Sequence, residues 1–293
     1  MIEENDRREQ VEVSRNCGYK ILMQHDVAAR SVLFNQWSTF SCPDSCERLG
    51  CKESNLRVSI SLIDLVALSL TSGQRATELF RRDVKIGFDP IHENEPWIGR
   101  VCLELKKPCP FLGGKQCSIY PGRPIACALF PEYYFIVEHP ERIVQKDIFQ
   151  NFPCIQEPCS ISPRRRTALQ QLLEIFGKEV FLSNFYLFGI SSFVIDLKNI
   201  AGEGLEGISI SENGKANFPH HRFEKLISQK LGKGGPLDDW EARIRKLDQA
   251  DGLEDLKKMK RWTDQIAMAS GGFSLNIVYQ FEKNRLHPFR LCK

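Results

Sequence analysis

The side chains with the most chemistry in this chain are its cysteines. Of eleven, eight fall into three clusters: Cys42-x3-Cys46-x4-Cys51, Cys109-x7-Cys117-x9-Cys127 and Cys154-x4-Cys159. Thiolates ligate soft metals, attack electrophiles and exchange with disulfides, so clustering raises all three chemistries at once. The middle cluster is the most constrained. Cys109 and Cys117 lie in Pro108-Cys109-Pro110-Phe111-Leu112 and Gln116-Cys117-Ser118-Ile119-Tyr120, and Gly122-Arg123-Pro124, Cys127 and Phe130-Pro131 follow. Prolines and glycines at this density break helices and central strands and leave little room for an ordinary core. A metal held by thiolates is the economical way to fix such a segment.

Composition sets the context. At 293 residues, 42% hydrophobic and 26% charged, the chain is long enough to bury a core without covalent staples and has globular proportions. A net charge of +3 is too small to argue for nucleic acid or an acidic membrane surface. Aromatics are not interleaved with basic stripes as a nucleic-acid surface requires. The opening Met1-Ile2-Glu3-Glu4-Asn5-Asp6 is acidic and lacks an apolar h-region, which predicts no secretory leader. The expectation is therefore a cytoplasmic chain with reduced thiols that bind metal or react rather than form bridges.

Spacing narrows the metal without naming it. No C-x2-C pair occurs, although zinc ribbons and fingers most often begin with one. Cys42-x3-Cys46-x4-Cys51 also misses both common ferredoxin spacings. Eight thiolates suffice for two four-thiolate sites or for one site with thiols to spare.

The motif Cys109-Pro110-Phe111-Leu112, Cys117-Ser118-Ile119-Tyr120, Arg123-Pro124, Cys127 and Phe130-Pro131 resembles the signature of the bacterial YkgJ-type (CxxCxxCC) cysteine-cluster family, whose members are described as zinc- or iron-chelating. Cys42, Cys46 and Cys51, and the stretch Ile60 to Leu70 with Asp64, sit where that family has its first cluster and the following helix. The resemblance covers roughly Phe40 to Cys159, and the first cluster lacks the adjacent cysteine pair of the family name. It implies a metal centre held by Cys42, Cys46, Cys51, Cys109, Cys117, Cys127, Cys154 and Cys159. A related branch, the flagellin lysine N-methylases, implicates an iron–sulfur centre in modifying protein lysines, so the resemblance extends by analogy to a protein substrate. An iron–sulfur centre is favoured over Zn2+ by that branch and by the missed zinc spacings. A metal-free thiol redox switch is the third reading.

Four thiolates around Zn2+ carry a net charge of about −2 and need N–H donors and a cation nearby when partly buried. Arg123 is the natural cation, and Pro124 can open a short helix whose N-terminus faces the sulfurs. Arg164-Arg165-Arg166 at a helix start reads as an exposed run, with a local anion as the alternative. The pair His220-His221 reads as surface, and His25, His92 and His139 are isolated. Cys17, Cys102 and Cys292 read as incidental thiols. No P-loop, G-x-G-x-x-G, G-x-S-x-G or H-E-x-x-H occurs.

The elements that must position these groups follow from local pattern. Cys17 to Phe40 suggests an amphipathic helix. Ser61 with Asp64 three residues on predicts a capped helix to about Leu70, and Gln74 to Val84 a second one. Phe88 to Pro96 reads as a loop and Trp97 to Leu105 as a strand. Tyr133 to Val137 and Arg142 to Lys146 predict a β-hairpin. Ser162-Pro163 predicts the start of a long helix, and the uncharged run Val180 to Ile195 a buried helix rather than a membrane span. Asn213-Gly214 predicts a hairpin turn, Lys233-Gly234-Gly235-Pro236 a linker, and Leu237 to Ala250 and Leu253 to Ala269 two helices. The expected fold is α+β, predominantly helical, with short β-hairpins around a cysteine-ligated metal centre. A cysteine-cluster domain spans 1–200, and a mostly helical domain with one hairpin spans 201–293.

Overall fold

The computed structural model describes residues 45–53, 56–92, 95–137, 140–146, 149–156, 160–188, 194–196, 236–270, 277–282 and 285–290, with short pieces at 9–10, 13–15, 17, 19, 209–210 and 216–217. It is a mixture of helices and small, mainly antiparallel strand pairings. Most of the expected 17–40 helix lies outside these residues.

A short helix α1 (Leu49–Lys52) and strand β1 (Ser59–Ile60) lead into α2 (Leu62–Ser72), the centre of the core. Residues 62–69 of α2 are all buried, the condition of a helix covered on every side. Its start is the expected capping box: Ser61 Oγ accepts from Asp64 N–H at 2.9 Å, and Asp64 Oδ2 accepts from Ser61 N–H at 3.0 Å. It stops at Gly73, whose φ of 68° suits a glycine C-cap. Helix α3 (Ala76–Asp83) folds back beside it.

The chain then forms β2 (Val84–His92) and β3 (Glu95–Leu105), paired antiparallel from Val84↔Leu105 to His92↔Glu95. The loop expected over Phe88 to Pro96 is therefore mostly strand. Val84 and Phe88 are buried on one face while Lys85, Gly87 and Asp89 alternate with them, and β3 supplies the backbone partners that make the pattern a strand. Pro90 is tolerated because, among the described residues, β2 pairs only with β3 and its other edge carries no ladder.

Two-residue strands β4 (Leu112–Gly113) and β5 (Gln116–Cys117) make a tight hairpin, followed by a 3-10 turn at Tyr120–Gly122 and by α4 (Ile125–Leu129). Next come α5 (Tyr134–Val137) and α6 (Pro140–Val144), where the sequence suggested a β-hairpin. The aromatic and β-branched content is explained instead by an apolar cluster of Phe135, Ile143, Phe149, Phe152 and Ile155, reached by short helical turns such as Tyr134 N–H to Pro131 O at 3.1 Å. Pro140 stands at the first position of α6, where its missing N–H costs nothing.

After α7 (Pro153–Gln156), the long helix α8 (Pro163–Phe188) begins where Ser162 Oγ accepts from Arg165 N–H at 3.2 Å. It takes in the first half of the uncharged run, and the rest includes strand β6 (Val194–Asp196). No helix among the described residues is long and apolar enough to cross a membrane. Strands β7 (Ser209–Ile210) and β8 (Ala216–Asn217) pair as expected, while Asn213-Gly214 and most of the linker lie outside the described residues.

Helices α9 (Pro236–Leu247) and α10 (Ala250–Ser270) bury Trp240, Ile244, Leu247, Leu253 and Leu256 in the same core as α2 and α3. A second hairpin, β9 (Ile277–Glu282) with β10 (Arg285–Arg290), was not anticipated. β3 is covered along its length by β2 on one edge, so β1 and β6 share the other, and β6 meets β9 through the parallel pair Ile195↔Tyr279.

One polar contact joins distant parts of this core. Helix α3 has no cap of its own, since Arg75 at its N-cap position makes no capping bond. Asp248, just past α9, does the work: its carboxylate accepts from Ala76 N–H at 2.7 Å, Thr77 N–H at 3.2 Å and Thr77 Oγ1 at 2.6 Å. Asp248→Ala should cost about 1–2 kcal/mol, the range for losing a good N-cap. The readout is a lower urea midpoint with an unchanged slope, and Asp248→Asn should lose less. An Asp248→Ala chain as stable as the parent would show that α3 needs no cap.

Candidate metal centre

The site is assembled by backbone bonds rather than by a core of its own. Gly114, at φ 61°, makes the two-residue turn that folds β4 onto β5, with Leu112 opposite Cys117. Leu112 N–H to Cys109 O at 3.1 Å and Ser118 N–H to Phe111 O at 2.9 Å extend the same turn, so Cys109 and Cys117 emerge side by side. Each sulfur also accepts a backbone N–H from two residues on, Phe111 for Cys109 and Ile119 for Cys117.

The first cysteine segment is clasped to this hairpin at three points. Cys109 N–H donates to Cys51 O at 2.8 Å, Arg48 Nε donates to Lys115 O at 2.8 Å, and Lys107 Nζ donates to Gly50 O. Gly50 lies under the Phe130 ring, where an added Cβ would come within 3.1 Å of the ring. Cys127 arrives from the other side on α4. Its helix is held by Asp64, whose Oδ1 accepts Ile125 N–H at 3.1 Å. The first N–H of this helix is thus taken by Asp64, while Pro124 and Ala126 at its start line the cavity with the cysteines. The turn before it is pressed on α2 at Gly122, where a Cβ would sit 2.0 Å from Thr71 Oγ1.

The result is a cavity of about 790 Å³ lined by Cys46, Cys51, Cys109, Cys117, Cys127 and Cys154. Six of the eight proposed ligands thus share one space. Cys42 and Cys159 lie outside the described residues, as does Cys292. Cys102 is not among the lining residues and instead lies 3.5 Å from Glu104 Oε1 on β3. Among the described residues, no group of three or more His, Cys, Asp or Glu side chains is placed to hold a metal ion, although the six cysteines line the same cavity.

Cys51, Cys109, Cys117 and Cys127 form an electrostatic group. Burial is the largest influence on each and pushes all four thiols up from 9.0, and the neighbouring sulfurs push the same way. Cations oppose it. Lys107 acts on Cys51, Cys109 and Cys127, Arg48 acts on Cys51, and Arg123 acts on Cys117. Arg123 lies 4.0 Å from the centre of the Tyr120 ring, which fixes its plane beside the cavity.

Sequence reasoning found Arg123 but missed Lys107, which faces three of the four thiols. The available signal was its place two residues before Cys109. The arginine run resolves differently from expectation: Arg164 and Arg166 are exposed, but Arg165 is buried and its guanidinium grips Glu132, with Nε 3.1 Å from Oε1 and 3.2 Å from Oε2. The local anion is this carboxylate. No family model, curated protein or solved structure matches the chain.

Because their values are raised on folding, the folded metal-free chain holds these thiol protons more tightly than the unfolded chain does. Their contribution to stability is complete below the ordinary value of 9.0 and is lost as pH rises through the higher folded values. The urea midpoint of metal-free protein should therefore fall between about pH 8 and pH 10.5, and fall less in Cys127→Ala. Parallel pH profiles for the two proteins would show that Cys127 is not held as a buried thiol.

Proposed function

We propose that the chain holds a metal centre through its clustered cysteine thiolates, an iron–sulfur cluster in preference to Zn2+. The observation that carries this reading is the convergence of Cys46, Cys51, Cys109, Cys117, Cys127 and Cys154, from four separate stretches of chain, on one cavity. The donor set fits. Thiolates are the ligands of zinc and of iron–sulfur clusters alike, and two sulfurs already accept backbone N–H groups of the kind that tune such centres. The resemblance of residues 109–131 to the YkgJ-type family points the same way.

Cys51, Cys109, Cys117 and Cys127 are the proposed core ligands, with Cys46, which also acts on Cys51, beside them. Cys46 and Cys154 line the same space, and Cys42 and Cys159 complete the proposed set. When bound, an iron–sulfur cluster supplies one-electron transfer. The chain's own groups do the rest. Phe111 and Ile119 N–H groups orient two sulfurs, Lys107, Arg48 and Arg123 offset thiolate charge, and Phe130 and Ile119 keep water from the ligands. A modifying enzyme related to the lysine N-methylases is an extension of this proposal.

Anaerobic purification with metal analysis and an absorption spectrum tests it. A brown protein containing iron and sulfide is expected. Colourless protein with stoichiometric zinc would replace the cluster by a structural ion, and metal-free protein that forms disulfides on oxidation would replace both by a thiol switch. Cys109→Ser and Cys127→Ser should lose metal and several kcal/mol of stability, while Cys102→Ser keeps its metal. Equal metal content in all three would sink the ligand assignment.

The cations give a separate test. Arg123→Ala and Lys107→Ala should each retain metal but bind it about 10- to 100-fold more weakly, as outer-shell losses do. The midpoint potential should fall too, since a lost cation favours the more oxidised, less negative cluster. Arg123→Lys should recover part of both. Unchanged affinity and potential would return these cations to ordinary surface roles.

A further inference from the structure

The cavity is larger than a metal centre requires. Eight cluster atoms, allotted even the ~30 Å³ of a liquid water each, would fill about 240 Å³. More than half of the 790 Å³ then stays open, within the range of small-molecule sites. Part of the lining is aromatic rather than sulfur, with Cys154 packed beside it. Phe130, Tyr133 and Tyr134 line it together with Leu173 and Phe176 of α8, and Arg57, just before β1, lines the same cavity.

Arg57 differs from the cations that act on the core thiols. Lys107, Arg48 and Arg123 act on the four core thiols, whereas Arg57 acts on the Tyr134 hydroxyl. Its guanidinium is held from behind. Nη1 donates to Phe88 O at 2.6 Å and lies 3.4 Å from Glu104 Oε1, and Nη2 donates to Asp89 Oδ1 at 2.6 Å. These contacts engage three of the five N–H donors of an arginine and fix its plane. Lys85 lies 3.6 Å from Glu104, so Arg57, Lys85, Asp89 and Glu104 together sum to zero charge. The attraction on offer is therefore a preset donor edge more than a strong field. The one carboxylate lining the cavity, Glu132, is engaged by Arg165, so no free acidic group among the described residues opposes an anion.

We propose that this aromatic end of the cavity binds an organic anion with an apolar body, its acidic group on Arg57 and its body against Phe130, Tyr133 and Tyr134. The inference rests on the metal-centre reading only in assigning the sulfur end of the same cavity to the metal. The ligand would lie beside the centre, where a substrate must be if the centre acts on one.

The probe is 1-anilinonaphthalene-8-sulfonate, titrated by fluorescence into the full metal-loaded chain, with N-phenyl-1-naphthylamine as the same ring frame without its charge. One sulfonate per chain should bind, about tenfold or more tighter than the neutral amine, the worth of a charge-assisted contact. Arg57→Gln should erase that difference by weakening the sulfonate and leaving the amine unchanged. Leu173→Trp, which fills the cavity from α8, should weaken both probes in a chain that keeps its fold. Equal binding of the two probes, or sulfonate binding that survives either variant, would overturn the proposal. Metal content measured on the same samples reports separately on the centre. Arg57-dependent sulfonate binding in a chain that takes no metal would uphold the anion site and overturn the metal reading.

Discussion

Asp64 is the point on which the rest of this structure depends. Its carboxylate is fully buried, and each oxygen accepts a backbone N–H from a different part of the chain: Ser61 at the start of α2 and Ile125 at the start of α4. A buried carboxylate is costly unless its lone pairs are satisfied, so any movement of α4 away from α2 would leave a desolvated acceptor. The clamp extends further. Ser61 Oγ donates to Glu179 Oε2 at 3.0 Å, and Leu62 N–H donates to Ser183 Oγ at 2.8 Å, which brings α8 to the same point. Three helices thus meet on one polar knot, and one of them carries Cys127.

That arrangement explains how a segment with so little core holds a shape. Residues 107–124 bury Phe111, Ile119, Gly122 and Pro124 and little else, yet they carry Cys109, Cys117 and Arg123. Their geometry comes from the Gly114 turn, from the bond between Cys109 N–H and Cys51 O, and from Gly122 seated on Thr71. None of these is strong alone, since a backbone bond contributes about 1 kcal/mol net. A metal bonded to cysteines from several of these stretches would tie them together in a way the local contacts do not.

How much of this was legible in the sequence depended on the range of the interaction. The capping box at Ser61 and Asp64, the start of α8 at Ser162-Pro163, and the strand to Leu105 are local patterns, and each appears in the structure. The strand through Phe88 to His92 was not legible because its partner, β3, supplies the ordering, and Pro90 argued against it. The short helices at Tyr134 and Pro140 failed for the opposite reason. Their aromatic residues looked like strand formers, but packing among Phe135, Phe149 and Phe152 decided the conformation. At the site, cysteine spacing identified the residues that share the cavity, because ligand type is a property of sequence. It could not identify Lys107 or Arg57, whose roles are set by what folds against them.

The electrostatics of the cavity give the metal reading a physical direction. With the core thiols protonated, as burial favours, the cations that act on the sulfurs, Lys107, Arg48 and Arg123, have uncharged thiols beside them. Cations placed to offset thiolate charge gain little from a neutral thiol. Ionising the thiols without a metal would invert the problem, setting four negative sulfurs together in a partly buried space. A metal centre resolves both, because it takes the protons' place, leaves a small net negative charge, and gives the surrounding cations something to balance. The same placement of charge is wasteful in a protein that only buries its cysteines. On the proposed reading, a thiolate-bound centre would offset that cost.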